Sequence, residues 1–248
     1  NIQSIDAITT TDVSMAAADV TISDLITKSE VDDLRTDTTG TVTVEKISEG
    51  KSKLSIIKGF TDVVLSTADI TVTDNVSKSE ADVIDSYSGT SGTVTLTSIT
   101  DTVSNINTVQ TNTDISLAAS AITVTDNASF ANANDINTFT TGQVTLEKVK
   151  DLVANVSSIN AITTTDVSMA AAAITVTDDA TLANANDING FTTGQVTLEK
   201  VKDVVANVSQ LNSYIDTHVS ISAAAITVTD DATLANANAI NTYTTGQV

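Results

Sequence analysis

The stretch Ile174-Thr175-Val176-Thr177-Asp178 recurs along the chain and decides its organisation. Matching pentapeptides end at the aspartates numbered 24 (a weaker copy), 74, 126, 178 and 230, so the steps are 50, 52, 52 and 52 residues. A glycine after Thr-Thr or Thr-Ser follows the same period, at positions 40, 92, 142, 194 and 246. Two independent markers with one period establish an internal repeat, which has to be recognised before the fold is assigned.

The first half of each unit predicts a strand followed by a helix. The β-branched residues of Ile174–Thr177 alternate along the chain, as half-buried strands do. Thr181 and Asn184 then occupy the two positions of a capping box, which Ser77 and Glu80 fill in an earlier copy. The sequence therefore places a helix N-terminus directly after each Ile-Thr-Val-Thr strand.

The second half predicts another strand and an amphipathic helix. Gln195–Leu198 is a short β-prone run that follows the marker glycine. Helical spacing then relates the apolar residues Val201, Val204, Val205, Val208 and Leu211. A third short β segment, such as Asp166–Met169, precedes the next unit. One later position holds an aromatic residue in four copies, which predicts a ring in one layer of the core at Tyr87, Phe139, Phe191 and Tyr243.

These elements predict an α/β fold: an elongated solenoid of about five 52-residue strand–helix–strand–helix repeats with parallel strands. The whole chain, 1–248, is expected to be one continuous array, because a lone strand–helix half cannot bury its apolar face. Its approximate units are 1–19 (partial), 20–69, 70–121, 122–173, 174–225 and 226–248 (partial). Neither end resembles a capping repeat, and we expect a window from a longer array or ends covered by neighbours. The segment Glu45–Val64 departs most from the repeat and is expected to carry a loop or a specialised contact.

Composition excludes several classes of protein. The 248 residues hold 31 acidic and 11 basic side chains, for a net charge of −20, with no cysteine and one histidine. The absence of cysteine excludes disulfides, thiolate nucleophiles and cysteine metal sites. The negative field repels nucleic-acid phosphates, so no nucleic-acid partner is expected. The longest apolar run, Met169–Ile174, is too short to span a membrane, and Asn1–Ala18 does not resemble a signal peptide.

Residues that could support catalysis have repetitive counterparts. His218 occupies a position filled in the other copies by the aspartates numbered 12, 62, 114 and 166, which indicates a solvated turn. The pairs Asp178-Asp179 and Asp230-Asp231 have equivalents in the other copies, in which the first aspartate is kept and the second is replaced by Asn or Leu. Such a pattern is typical of aspartates in turns and at helix N-termini. An active site requires convergent and non-equivalent groups. We therefore expect no enzyme activity.

Calcium is the one cofactor that the sequence leaves open. Stacked repeats would bring equivalent carboxylates close together, and carboxylate oxygens are the ligands that calcium prefers. The chain has neither an EF-hand loop nor a glycine-rich nonapeptide, so diffuse counterion screening is the alternative. The candidate ligands are Asp74, Asp126, Asp178, Asp179, Asp230 and Asp231. Thr175 and Thr177 also lie on one face of their strand, as threonines of ice-binding proteins do. Because such a pair occurs only once in each repeat, the sequence does not predict a continuous ice-binding surface.

The segment Ile99–Ile106 and the Ile-Thr-Val-Thr-Asp-(Asp/Asn)-Ala units resemble long acidic Thr/Ala-rich repeat proteins of bacterial cell surfaces and extracellular matrix, notably in marine cyanobacteria. The resemblance implies secretion and a place in surface appendages, matrix or adhesion. We therefore expect an extracellular structural protein that builds a filament, sheath or surface layer from identical subunits. The alternatives are a calcium-dependent adhesin stalk or a module that binds a surface glycan, and a viral fibre.

Overall fold

The computed structural model describes residues 15–89, 91–162, 166–213 and 218–248. In this part of the chain, nine helices alternate with parallel strands, which confirms the α/β prediction. The chain forms two compact units, Asn1–Thr100 with Asn107–Ser120 and Asp101–Ile106 with Ala121–Val248. Most of the predicted partial repeat 1–19, including Asp12, lies outside the described residues.

The first part of the chain contains six strands and four helices. In the first unit the parallel order is β1-β2-β4-β5, with β3 beside β2 and β6 beside β5. The bounds are β1 Val20–Ile26, α1 Lys28–Asp37, β2 Val42–Glu49, α2 Lys51–Lys58, β3 Val63–Val64, β4 Asp69–Val76, α3 Lys78–Ser88, β5 Val94–Asp101, α4 Val103–Gln110 and β6 Ile115–Ser116.

The second part of the chain repeats this order. Its strands run β7-β8-β10-β11 in parallel, with β9 beside β8, and β12 and β13 beside β11. The bounds are β7 Ala121–Ala128, α5 Phe130–Asn137, β8 Val144–Asp151, α6 Val153–Ile162, β9 Val167–Ser168, β10 Ala173–Ala180, α7 Leu182–Asn189, β11 Val196–Asp203, α8 Val205–Ser213, β12 Val219–Ser220, β13 Ala225–Val228 and α9 Leu234–Ile240. The predicted third β segment is confirmed as β9.

The core of each unit lies between the strands and a layer of helices packed side by side. On β8, Val144, Leu146 and Val149 are buried, whereas Thr145 between them is only half-buried. Helices bury their stripe as predicted, with Ala185 and Ile188 of α7 inaccessible to solvent. The predicted aromatic core layer is wrong: Tyr87, Phe139, Phe191 and Tyr243 are all half-buried, and aliphatic side chains fill the interior.

The capping boxes are confirmed in all five copies. In α7 the backbone N–H of Thr181 donates to Asn184 Oδ1 at 3.0 Å, and the N–H of Asn184 donates to Thr181 Oγ1 at 3.2 Å. The replacement of glutamate by asparagine in the later copies therefore keeps both hydrogen bonds and removes a charge. The boxes begin at Thr27, Ser77, Ser129, Thr181 and Thr233.

The long strands are twice the predicted length, and this corrects two interpretations. β10 pairs Val176 with Leu198 and then Asp179 with Lys200, so it carries one extra residue, a β-bulge. Asp178 and Asp179 therefore lie within a strand rather than in a turn. Val201, which was predicted to begin a helix, is the last buried residue of β11. The prediction was wrong because the buried residues of this strand change phase, and the resulting three-residue step resembles that of a helix.

The marker glycine is required by a close approach of two backbones. A Cβ at Gly194 would lie 2.3 Å from the carbonyl oxygen of Ala172, a distance that no side chain tolerates. Thr192 fixes this approach, since its hydroxyl donates to the same oxygen at 2.7 Å and accepts from the Gly194 N–H at 2.9 Å. Gly40, Gly92 and Gly246 show the same constraint.

The irregular segment Glu45–Val64 contains a regular helix, α2, followed by a short loop that carries a specialised contact. Phe60 lies beneath the guanidinium of Arg35, with Cζ 3.6 Å from the ring centroid. Arg35 Nε also donates to both carboxylate oxygens of Asp62, at 3.0 and 2.8 Å. This hydrogen bond holds the pKa of Asp62 below its usual range.

Candidate functional site: a carboxylate ladder

The marker aspartates cap helices that precede them in the chain. Asp178 Oδ1 accepts a hydrogen bond of 2.8 Å from the backbone N–H of Val153, the first residue of α6. An N-terminal N–H has no partner within its own helix, and the partial positive charge there favours an anion. The equivalent bonds join Asp74 to Lys51, Asp126 to Val103 and Asp230 to Val205, at 2.8–2.9 Å.

The strands of the second half supply the same cap to the other helices. Asp203 Oδ2, at the end of β11, accepts from the N–H of Leu182, the first residue of α7, at 2.9 Å. Glu49 and Asp151 do the same for Lys28 and Phe130, each at 2.8 Å. We call these seven acids the carboxylate ladder: Glu49, Asp74, Asp126, Asp151, Asp178, Asp203 and Asp230.

Two members of the carboxylate ladder each cap two helices. The second oxygen of Asp203 accepts from the N–H of Val204 and from Asn207 Nδ2, both at 2.8 Å, at the start of α8. Asp151 has the same arrangement at the start of α6. One carboxylate thus ties the N-termini of two successive helices to the strand between them.

Hydrogen bonding to the ladder favours the ionised carboxylates. Burial raises the pKa of Asp203, but donors from Leu182, Asn207 and Val204 outweigh it and bring the pKa below the usual range. The pKa of Glu49 is lowered in the same way. Burial raises it, but hydrogen bonds from Lys53 and from the Lys28 N–H outweigh burial and bring it below the usual value. Glu49 and Asp203 are therefore charged at neutral pH.

The predicted calcium ligands have different surroundings in the structure. Asp178 is half-buried with Oδ1 on Val153, whereas Asp179 is exposed and lies beside Lys200 in the strand register. Asp74, Asp126 and Asp230 each direct one oxygen to a helix N-terminus, and Asp231 is exposed. Within the described residues, no three or more acidic or histidine side chains form a group suited to a metal ion.

His218 contributes its backbone to the fold. Its carbonyl oxygen accepts from the N–H of Val196 at 2.7 Å, and its side chain is exposed. Asp62, Asp114 and Asp166 accept in the same way from the first residue of their neighbouring strands. The repeat therefore requires a carbonyl at this position and leaves the side chain free to vary.

Threonines align across neighbouring strands without forming an extended ladder. Thr175 lies opposite Thr197, which in turn lies opposite Ser220, but the other neighbour of Thr175 is Lys150. Lys150 pairs with Glu199 across this row, with 2.7 Å between Nζ and Oε1. Lysines therefore interrupt the threonine rows beside Thr175 and Thr227, whereas Thr71 lies opposite Ser48.

No known protein family, curated protein or solved structure matches this chain. Among the described helices, none is both long enough and apolar enough to span a membrane. The internal repeats are therefore the standard against which individual residues can be compared.

The sequence predicted turn or helix-terminal positions for the marker aspartates, but it did not show which helix each of them caps. Asp178 and Asp230 bind residues that lie 25 positions earlier in the chain, and Asp74 and Asp126 bind residues 23 positions earlier. The partners of Asp151 and Asp203 lie 21 positions earlier. The available signal was an acid 21 to 25 residues after the start of each capped helix. A capping box joins residues only three positions apart, so that pattern does not reveal a cap from a more distant strand.

Proposed function

We propose that this chain is an extracellular structural repeat protein, an α/β solenoid of about five 52-residue repeats that builds a filament, sheath or surface layer from identical subunits. Its role is to provide an extended scaffold and not to catalyse a reaction. The carboxylate ladder is the observation that carries the proposal.

The ladder supports this role because it joins successive elements by a contact that recurs with the sequence period. Seven of the nine described helices are tied by a ladder carboxylate that lies in a later strand or just after it, so adding a unit adds its own connections. The ladder acids are engaged in backbone hydrogen bonds, and repetition of a group in graded copies suits a mechanical element better than a reaction centre. The resemblance to acidic surface repeat proteins points the same way.

Electron microscopy of the purified protein, together with light scattering across a concentration series, tests the proposal. We expect elongated particles that associate into filaments or sheets as concentration rises. Compact monomers at all concentrations would contradict it. Calorimetry with calcium and with a glycan panel provides the contrast, since saturable glycan binding by a monomer would favour an adhesin module instead.

A further inference from the structure

A shallow groove lies between α2 and α3 in the first unit. It has a volume of about 430 Å³. Val83, Ile84 and Tyr87 form the apolar part of its wall, and the Lys51–Glu80 ion pair and three serines form the rest. Val83 is 53% exposed, and Ile56, on the same helix as Ser55, is 50% exposed. Exposed aliphatic side chains beside a concave surface are typical of interaction sites.

The other repeats show that the fold does not require these apolar residues. The positions equivalent to Ile56 hold Thr108, Ser158 and Gln210. Those equivalent to Val83 hold an exposed aspartate in three copies, at positions 33, 135 and 187. Val83 in the groove wall and Ile56 near it are thus large and apolar only in this copy, whereas Ile84 and the ring of Tyr87 recur in other copies.

A third departure from the repeat produces an apolar projection in the same unit. Leu25 on β1 is 61% exposed, next to the buried Ile26, so it lies on the sheet face opposite the helices. Its equivalents Asn75, Asn127 and Asp179 are polar and also exposed, although their strands have neighbours on both sides. The exposure of Leu25 therefore belongs to its position in the repeat.

We propose that Leu25 of one copy inserts into the α2–α3 groove of a second copy. This inference rests on the proposed assembly of identical subunits and specifies the residues through which one subunit binds the next. Charge complementarity supports it: Asp24 precedes Leu25, and Lys58 Nζ lies 5.8 Å from the Tyr87 ring at the groove. Within the described residues, no salt bridge engages either Asp24 or Lys58.

The geometry makes the contact directional. Leu25 lies on the sheet face opposite the helices, and the groove lies in the helix layer. A symmetric dimer that uses one surface patch therefore cannot place both Leu25 residues in both grooves. A projection and a complementary groove on different surfaces give a heterologous contact, which extends into a filament unless it closes into a ring.

The repeats supply substitutions that the fold already tolerates, and these test the contact. Sedimentation velocity over a concentration series compares the wild-type chain with Leu25→Asn and with Ile56→Thr/Val83→Asp. We expect wild-type assembly, and at least about tenfold weaker association for each variant, the effect of losing one buried leucine. Leu152→Thr, which replaces another exposed leucine by the residue of Thr102, is the control and should assemble as wild type does.

Mixing the two variants gives the decisive result. One retains an intact groove and the other an intact Leu25, so an equimolar mixture should form dimers and no larger species. Variants that assemble like the wild type would overturn the Leu25 contact and leave the proposed scaffold in place. A wild-type chain that stays monomeric throughout would overturn both.

Discussion

Asp178 and Val153 are joined by a hydrogen bond that connects a strand to the helix preceding it. The carboxylate Oδ1 lies 2.8 Å from the backbone nitrogen, across 25 residues of sequence. Because the bond recurs at Asp74, Asp126 and Asp230, the repeat is held together by side chains whose partners lie half a unit away.

Removing this cap should destabilise the protein. We expect Asp178→Ala to lower the free energy of unfolding by about 1 kcal/mol, since it leaves the N–H of Val153 without its charged acceptor. Urea denaturation followed by circular dichroism measures the change. Asp179→Ala is the matched control: this neighbour is exposed and should change the free energy by less than about 0.5 kcal/mol. Equal effects at the two positions would refute the capping role.

Acid should weaken the ladder. The pKa values of Glu49 and Asp203 are lower in the folded protein, so their stabilisation is complete above the ordinary carboxyl value of about 4. It is lost as pH falls through the lower folded values, because the unfolded chain then binds more protons. The melting temperature should therefore decrease when the pH is lowered below about 4. Asp203→Asn should shrink this decline, and an unchanged profile would count against the role of Asp203.

Salt should stabilise the chain through screening of its net charge of −20. The Debye length shortens from about 8 Å at 0.15 M to about 3 Å at 1 M, which weakens repulsion between acids in neighbouring strands. Thermal melts in sodium chloride should show a rising midpoint. Calcium and magnesium at equal concentration should give equal shifts, because the marker aspartates already bind helix N-termini. A larger rise with calcium alone would support the predicted site at these residues.

Gly194 and Gly190 should respond very differently to alanine. A Cβ at Gly194 would lie 2.3 Å from the backbone oxygen of Ala172, so Gly194→Ala should cost about 2 kcal/mol or more of stability. Gly190 ends α7 with ordinary helical angles, and equivalent positions hold Thr138 and Asn241. Gly190→Ala should therefore be nearly neutral in the same urea titration. Similar losses for both variants would contradict the close approach.

The repeat period predicted the order of elements, because local patterns such as the Thr181 capping box act within a few residues. It misplaced Val201, because the inward face of β11 shifts after Leu198 and leaves the buried residues Leu198 and Val201 three apart. It also misplaced Tyr87 and its equivalents, since a periodic aromatic residue does not reveal how deeply its ring lies. The role of Asp178 depends on a distant partner, so no local pattern contained it.

The direction of the capping bonds also bears on how the protein is made. Phe130 is synthesised 21 residues before Asp151, and Val153 is synthesised 25 residues before Asp178. At about 5–20 residues per second, each helix therefore waits about 1–5 s on the ribosome for its cap. Folding during synthesis then trails the growing chain by half a unit, and each newly finished strand completes the helix made just before it.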